Sequence, residues 1–251
     1  TGGKQDRVVG KDRIIPPNSD PVDLSVFCVE PGRWSGGVAG VSSFGSMDAQ
    51  MAQPSVRAKA MGDKDQSKVW EEVRKSQSAA AESVGAGTGG GIGSGAGAGV
   101  GPSSTTSYAR VFDNAQVKRE VDEVAGALLT SHEQVLRQLR AQNAVGVVVA
   151  VNGRIIWADL FASTSLLEKY WAKLVRSYAA EALSSYGVKG SAGVKQAQAF
   201  LDEWDGNRQV VETEPGVFRH TEISGSGYRA FELTSLLPKT GFDVHLSKMV
   251  E

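Results

Sequence analysis

The sequence predicts an α+β fold, with antiparallel or mixed sheet built from strands at both ends of the chain and packed by two or three amphipathic helices. Three observations carry that expectation. Apolar residues alternate in PVDLSVFCVE near the start; Asn152-Gly153 separates two apolar runs, VGVVVAV and RIIWADLF; and extended segments and helical patterns fall in separate blocks rather than alternating. The expected organisation is one domain over 1–251, interrupted by a flexible insertion at about 85–105.

Two extended segments open the chain, Val8 to Ile15 and Val22 to Glu30, separated by PPNSDP. Three prolines with Asn18, Ser19 and Asp20 make the separator a turn, because proline presets φ and the short polar side chains bond their own backbone. In the second segment Val22, Leu24, Val26 and Cys28 share one face of a half-buried strand. PSVRAKAM, from Pro54, reads as another short extended piece. Asp65 is placed to cap a helix over Gln66 to Ala81, where Val69, Val73 and Trp70 supply an apolar stripe.

Ten of the seventeen residues from Gly85 to Gly101 are glycine, which loses the most backbone entropy on ordering. That stretch reads as a linker or inserted loop. From Asn114 to Gln142 apolar residues recur at helical spacing. Asn152-Gly153 supplies the two positive-φ residues of a type I′ turn, so the runs on either side form an antiparallel hairpin. Helices follow at about Ser165 to Ser184 and Val194 to Trp204. The last part returns to strands: RQVVETE, a Pro215-Gly216 turn, VFRHTEIS, then YRAFELTSL and FDVHLSKMV.

The 251 residues carry 27 basic and 28 acidic side chains, a net charge of −1, so the broad positive field of a nucleic-acid binder is missing. Apolar runs stay far below the roughly 20 residues of a membrane-spanning helix. A single cysteine removes intramolecular disulfides and multi-cysteine metal sites from consideration. The expected setting is cytoplasmic, with no cofactor, no metal, and an unknown small molecule or protein as partner.

Few residues carry chemistry. GAGTGG, with Gly85, Gly87 and Gly90, matches a dinucleotide fingerprint only formally, because no buried strand precedes it and more glycine follows. His132, His220 and His245 share no metal-ligand spacing. His132 falls on the apolar stripe of a helix, where a core histidine is the ordinary occupant, and His220 sits beside Arg219 and Glu222. Cys28 points inward in the phase of its strand, where cysteine behaves as a small hydrophobe rather than a nucleophile.

Glu30 continues that inward face, and a carboxylate there needs a partner or a raised pKa. Arg33 and Arg57 are the two arginines that can supply it. One reading is a structural ion pair at the corner after the strand, covered by Trp34. The other is a carboxylate and a guanidinium at the lip of a pocket.

GGKQDRVV, PVDLSVFCVEPGRW, SVRAKA and QSKVW, with VVVAVNGRIIWADLF and SLLEKYWAKLVRSYAAEAL later, resemble a bacterial family, the ARG and rhodanese-phosphatase-superfamily-associated protein domain. Its most specific motif here is CVE-x-GRW. The matching positions are Gln5, Arg7, Cys28, Glu30, Gly32, Arg33, Trp34, Arg57, Gln66 and Trp70. The glycine-rich stretch departs from the family pattern. What the resemblance implies about function is limited to association with other domains, since no reaction is established for the family.

Two functions from different classes follow. The first is a non-catalytic ligand- or protein-binding domain, with Arg33, Trp34, Arg57, Trp70, Gln5 and Arg7 as binding residues. The alternative is an enzyme on a small anionic substrate, phosphorylated ones included, with Glu30 as acid/base and Arg33 or Arg57 as anion clamp.

Overall fold

Asn152 and Gly153 take φ of 52° and 78°, the left-handed pair that a two-residue hairpin turn requires. The computed structural model describes residues 6–31, 50–87, 105–185, 190–238 and 241–251. Their strands form two antiparallel sheets. The chain divides into two compact units, each assembled from three stretches. Unit one takes Thr1–Val8, Val26–Thr130 and Ala172–Tyr186; unit two takes Val9–Ser25, Ser131–Trp171 and Gly187–Glu251.

The first sheet is a ribbon of two three-residue strands, β1 (Arg7–Val9) and β2 (Val26–Cys28). Both are shorter than the expected extended segments. Val22, Leu24 and Val26 are more than a third exposed, so the alternation there does not mark a buried face. Pro21 lacks a donor, and the turn closed by Ser19 N–H on Pro16 O diverts the chain before the ladder begins.

Helices make the rest of unit one. PSVRAKAM is helical, not extended: α1 (Pro54–Ala58) continues into a π-helical turn over Lys59–Asp63. The reason is local. Pro54 sits at the first helical position, where its fixed φ suits the helix, and Val56 and Ala60, four apart, are both fully buried. Asp65 caps α2 (Gln66–Gly87), its carboxylate accepting from the N–H groups of Ser67 at 2.7 Å and Lys68 at 3.3 Å. The remainder of the glycine-rich stretch, from residue 88, lies outside the described residues. After α3 (Tyr108–Asp113), the helical pattern over 114–142 is three helices rather than one: α4 (Ala115–Ala125), α5 (Ala127–Thr130) and α6 (His132–Ala141). Gly126, at φ 50°, breaks the first junction. Val69 and Val73 of α2 and Val117 and Val121 of α4 are buried at four-residue spacing, and α2 packs on α4.

Unit two is a six-stranded antiparallel sheet. Its strands are β3 (Gly146–Val151), β4 (Arg154–Phe161), β5 (Asn207–Glu214), β6 (Phe218–Gly225), β7 (Tyr228–Ser235) and β8 (Asp243–Val250), in the order β3-β4-β8-β7-β6-β5. Helix α7 (Thr164–Ser184) begins in this unit, and α8 (Val194–Asp202) packs on one face of the sheet. There Ala158, Ile223, Tyr228 and Ala230 enclose Phe200, with Leu201 and Trp204 against them.

Lys248 projects into that same apolar face and is fully buried. Its Nζ lies 4.6, 4.5 and 4.0 Å from the ring centroids of Phe200, Trp204 and Tyr228. It donates to Phe200 O at 2.5 Å and to Glu203 O, carbonyls at the C-terminus of α8 that the helix itself leaves open. Burial lowers its pKa, while the charges of Glu203 and Asp205 oppose the shift.

Candidate functional site

In unit one, β2 ends where Val29 N–H donates to Asp6 O at 2.9 Å and Tyr108 N–H donates to Val29 O at 3.2 Å. Gln66, the first residue of α2, completes the edge. Its Oε1 accepts from Cys28 N–H at 2.9 Å and its Nε2 donates to Cys28 O at 2.8 Å, so one amide side chain stands in for a neighbouring strand. Cys28 is half-buried, its thiol 3.5 Å from Glu30 O. Glu30 is 3% exposed and accepts from Asp6 N–H at 3.4 Å. The Asp6 carboxylate reaches the start of α3, accepting from Ala109 N–H at 3.0 Å and from the Ser107 hydroxyl.

A second polar cluster lies at the N-terminus of α1. Glu181 accepts from Ser55 N–H at 2.9 Å and Gln53 Nε2 at 3.2 Å. Burial raises its pKa against the pull of those hydrogen bonds. Gln53, with no exposed surface, donates its N–H to the Tyr108 hydroxyl at 3.1 Å. That phenol is itself buried, which pushes its pKa well above the usual tyrosine range, with the Gln53 N–H, the neighbouring Gln50 amide and the charge of Arg57 acting the other way. Arg57 is 6% exposed, its guanidinium 5.8 Å above the Tyr178 ring. Gln50 is 3% exposed, and its Nε2 is a buried donor without a hydrogen-bond acceptor among the described residues.

The sequence candidates thus divide. Glu30 joins Cys28 and Gln66 at the strand end; Arg57 joins the α1 cluster; Trp70 is half-buried on α2, one turn after Gln66; Arg7 is exposed on β1. Gln5, Arg33 and Trp34 lie outside the described residues.

Unit two holds titratable groups that sequence spacing does not connect. The sheet register places Glu212, His220, Leu233, His245 and Phe161 in one transverse row across five strands, on the face opposite Lys248. His245 is held from both sides, with Nδ1 2.5 Å from Asp12 Oδ2 and Nε2 3.2 Å from Asp159 Oδ1. Ser247 donates to that same Asp159 oxygen at 2.9 Å. Burial alone would lower the pKa of His245, but the hydrogen bonds and charges of the two aspartates raise it to about 9. Phe161 stacks on the imidazole at 4.5 Å and Tyr170 on Phe161 at 5.7 Å. At neutral pH the ring is therefore an imidazolium with both nitrogens donating, an ion lock rather than a base. His220, 1% exposed, keeps a lowered pKa through burial, and its Nδ1 has no hydrogen-bond partner among the described residues.

Asp12 belongs to the stretch between β1 and β2, where Lys11 and Arg13 on either side both pair with Glu212 at 3.2 and 2.6 Å. Three successive side chains thereby tie this segment across the row. Among the described residues no group of three histidine, cysteine, aspartate or glutamate side chains is arranged to hold a metal ion. No described helix is long and apolar enough to cross a membrane. A shallow groove of about 460 Å³ on α2, lined by Glu71, Arg74, Lys75 and Glu82 among others, includes none of the clustered groups.

The profile of the ARG and Rhodanese-Phosphatase-superfamily-associated Protein domain matches residues 1–249. The chain belongs to this family. The match takes in both units, so the family pattern includes the strand end at Cys28 and the hairpin of β3 and β4 alike. No curated protein and no solved structure matches the chain. The function of the family is uncharacterised, and the name records association with another protein superfamily.

Proposed function

We propose that this family member is a non-catalytic binding domain whose ligand offers an anionic or acceptor-rich group to the α1 cluster of unit one. The observation that carries the reading is the Gln50 amide, a buried donor without a hydrogen-bond acceptor among the described residues, beside a tyrosine that also feels the charge of Arg57. A buried unsatisfied donor costs about 1–3 kcal/mol, and a ligand acceptor would remove that cost. Glu30 supports the non-catalytic side: it is sealed at 3% exposure and holds the Asp6 backbone at the strand end.

An enzyme acting on a small anionic substrate is the second reading. What favours it is Glu181, whose raised pKa suits an acid and which lies three residues from Tyr178, the ring beneath Arg57. That reading transfers the acid/base role from Glu30 to Glu181.

A thermal-shift screen of inorganic phosphate, sugar phosphates, nucleotides and carboxylates tests both, using wild type, Gln50→Leu and Arg57→Gln. The binding reading expects an anion to raise the wild-type Tm, with the shift abolished in variants that retain the wild-type circular dichroism spectrum. It fails if no anion shifts wild type, or if both variants respond as wild type does. Conversion of the hit compound, followed by mass spectrometry and lost in Glu181→Gln, would replace binding with catalysis.

A further inference from the structure

The two edges of the unit-two sheet differ. On β5, the outer strand at one side, Arg208, Glu212 and Glu214 are charged, and pairing Val210↔Thr221 then Glu212↔His220 leaves Val211 as an extra, bulged residue. Lys11 and Arg13 further tie Glu212 down. Charge, a bulge and a crossing segment are the means by which proteins block an edge against strand addition.

Among the described residues none of them protects β3 at the other side. Residues 144–153, AVGVVVAVNG, contain no charge and no proline. The register shift in its ladder, Val149↔Trp157 then Ala150↔Ile155, places the extra residue, Ile156, on β4, so β3 itself runs regularly. Phe161 N–H donates to Val145 O, which sets the alternation: Val145, Val147 and Val149 bond inward to β4. The N–H and C=O groups of Gly146, Val148 and Ala150 therefore face outward, and β3 ends the strand order with no hydrogen bond to them from the described residues.

The preceding helix points the same way. The apolar stripe of α6, Val135, Leu136 and Leu139, is only half-covered; α6 contains no fully buried residue, and Val145 beyond it is 41% exposed.

We propose that β3 is a homodimerisation edge, at which a second copy of this chain adds its own β3 antiparallel across a two-fold axis to form a continuous twelve-stranded sheet. An outward row of backbone donors and acceptors is a template for another strand rather than for a side chain or a small ligand. A second copy fits because an antiparallel copy sets valine against valine and uncharged backbone against uncharged backbone, the self-complementarity of an isologous contact. Because β5 is blocked, addition stops at two copies and gives a closed dimer rather than a growing fibre.

The test is molar mass by light scattering on the full chain, with hydrogen exchange on the same samples. Wild type should have twice the chain mass, and the amides of Gly146, Val148 and Ala150 should be protected. Ala150 is exposed and its N–H faces outward, so Ala150→Lys and Ala150→Pro leave the β3–β4 ladder intact. Either substitution should halve the mass with little change in Tm extrapolated to low concentration. A monomeric wild type with freely exchanging amides at those three positions overturns the proposal. So does a dimer that persists in both variants.

Discussion

Replacing His245 by Asn should remove most of the alkaline pH dependence of stability in unit two. Asp12 and Asp159 raise the imidazole from its ordinary value of 6.5 to about 9, against the effect of burial. A difference of that size corresponds to about 3 kcal/mol of preferential proton binding by the folded state. The side chain is 13% exposed, which preserves the interaction, but Asp12 is 45% exposed and solvent weakens its share. About 2 kcal/mol is therefore the expected measurable effect. Because the folded pKa is the raised one, this stabilisation is complete below about pH 6.5 and disappears as pH rises through about 9. Asp12 has a lowered pKa: burial works to raise it, and the hydrogen bond and charge of His245 outweigh that. Its contribution has the opposite sense, present above its ordinary value of 3.8 and lost as pH falls below it. Urea unfolding of wild type and His245→Asn at pH 6, 7.5 and 9.5 measures the difference. The variant should be less stable at pH 6, and the two curves should converge toward pH 9.5. Parallel curves with a constant gap across that range would refute the ion lock and leave only a packing role for the ring.

Two further substitutions probe other parts of the fold. Gln66→Ala removes both bonds to the Cys28 backbone and should destabilise unit one by about 2 kcal/mol, while speeding the reaction of the Cys28 thiol with a maleimide; unchanged labelling would mean that the amide clamp does not govern access. Lys248→Met keeps most of the side-chain volume inside the cage of Phe200, Trp204 and Tyr228 but strands two carbonyls at the end of α8, so a loss of about 2–4 kcal/mol in urea unfolding is expected, and an unaffected midpoint would show that the ammonium contributes nothing net.

Local chemistry made several elements legible. Asn152-Gly153 specifies its hairpin through backbone handedness, and Asp65 caps α2 through a carboxylate within reach of two N–H groups. The same reasoning misread PSVRAKAM, because the β-branched Val56 suits a strand locally while Pro54 at the first helical position and the buried Val56/Ala60 pair decide for a helix. It also merged three helices into one over 114–142, since hydrophobic spacing continues across Gly126 although the backbone there does not.

The candidate sites were legible only in part. Strand phase led to Glu30 as an inward carboxylate, and it is buried; the same phase misplaced Val22 and Leu24, which are exposed. The α1 cluster and the His245 lock were not visible. Gln50, Gln53, Tyr108 and Glu181 lie up to 131 positions apart (181 − 50), and Asp12 and His245 are 233 apart. The usable hint was Asp159, a lone carboxylate inside the apolar strand RIIWADLF, where an unpaired charge would be prohibitive.

By itself the sequence determined the α+β class, the antiparallel hairpin, the cap of α2 and the absence of a disulfide between two cysteines of these 251 residues, all consequences of backbone propensity, patterning or residue count over short windows. Only the tertiary structure decided which polar groups share an environment. Sheet register puts His220 and His245 in one row and places β3 at one edge of the sheet, while the stretch between β1 and β2 brings Asp12 to the His245 imidazole. Register is set by pairing between distant strands, so no local pattern encodes it, and the chemistry of a buried side chain depends on whatever that pairing places beside it.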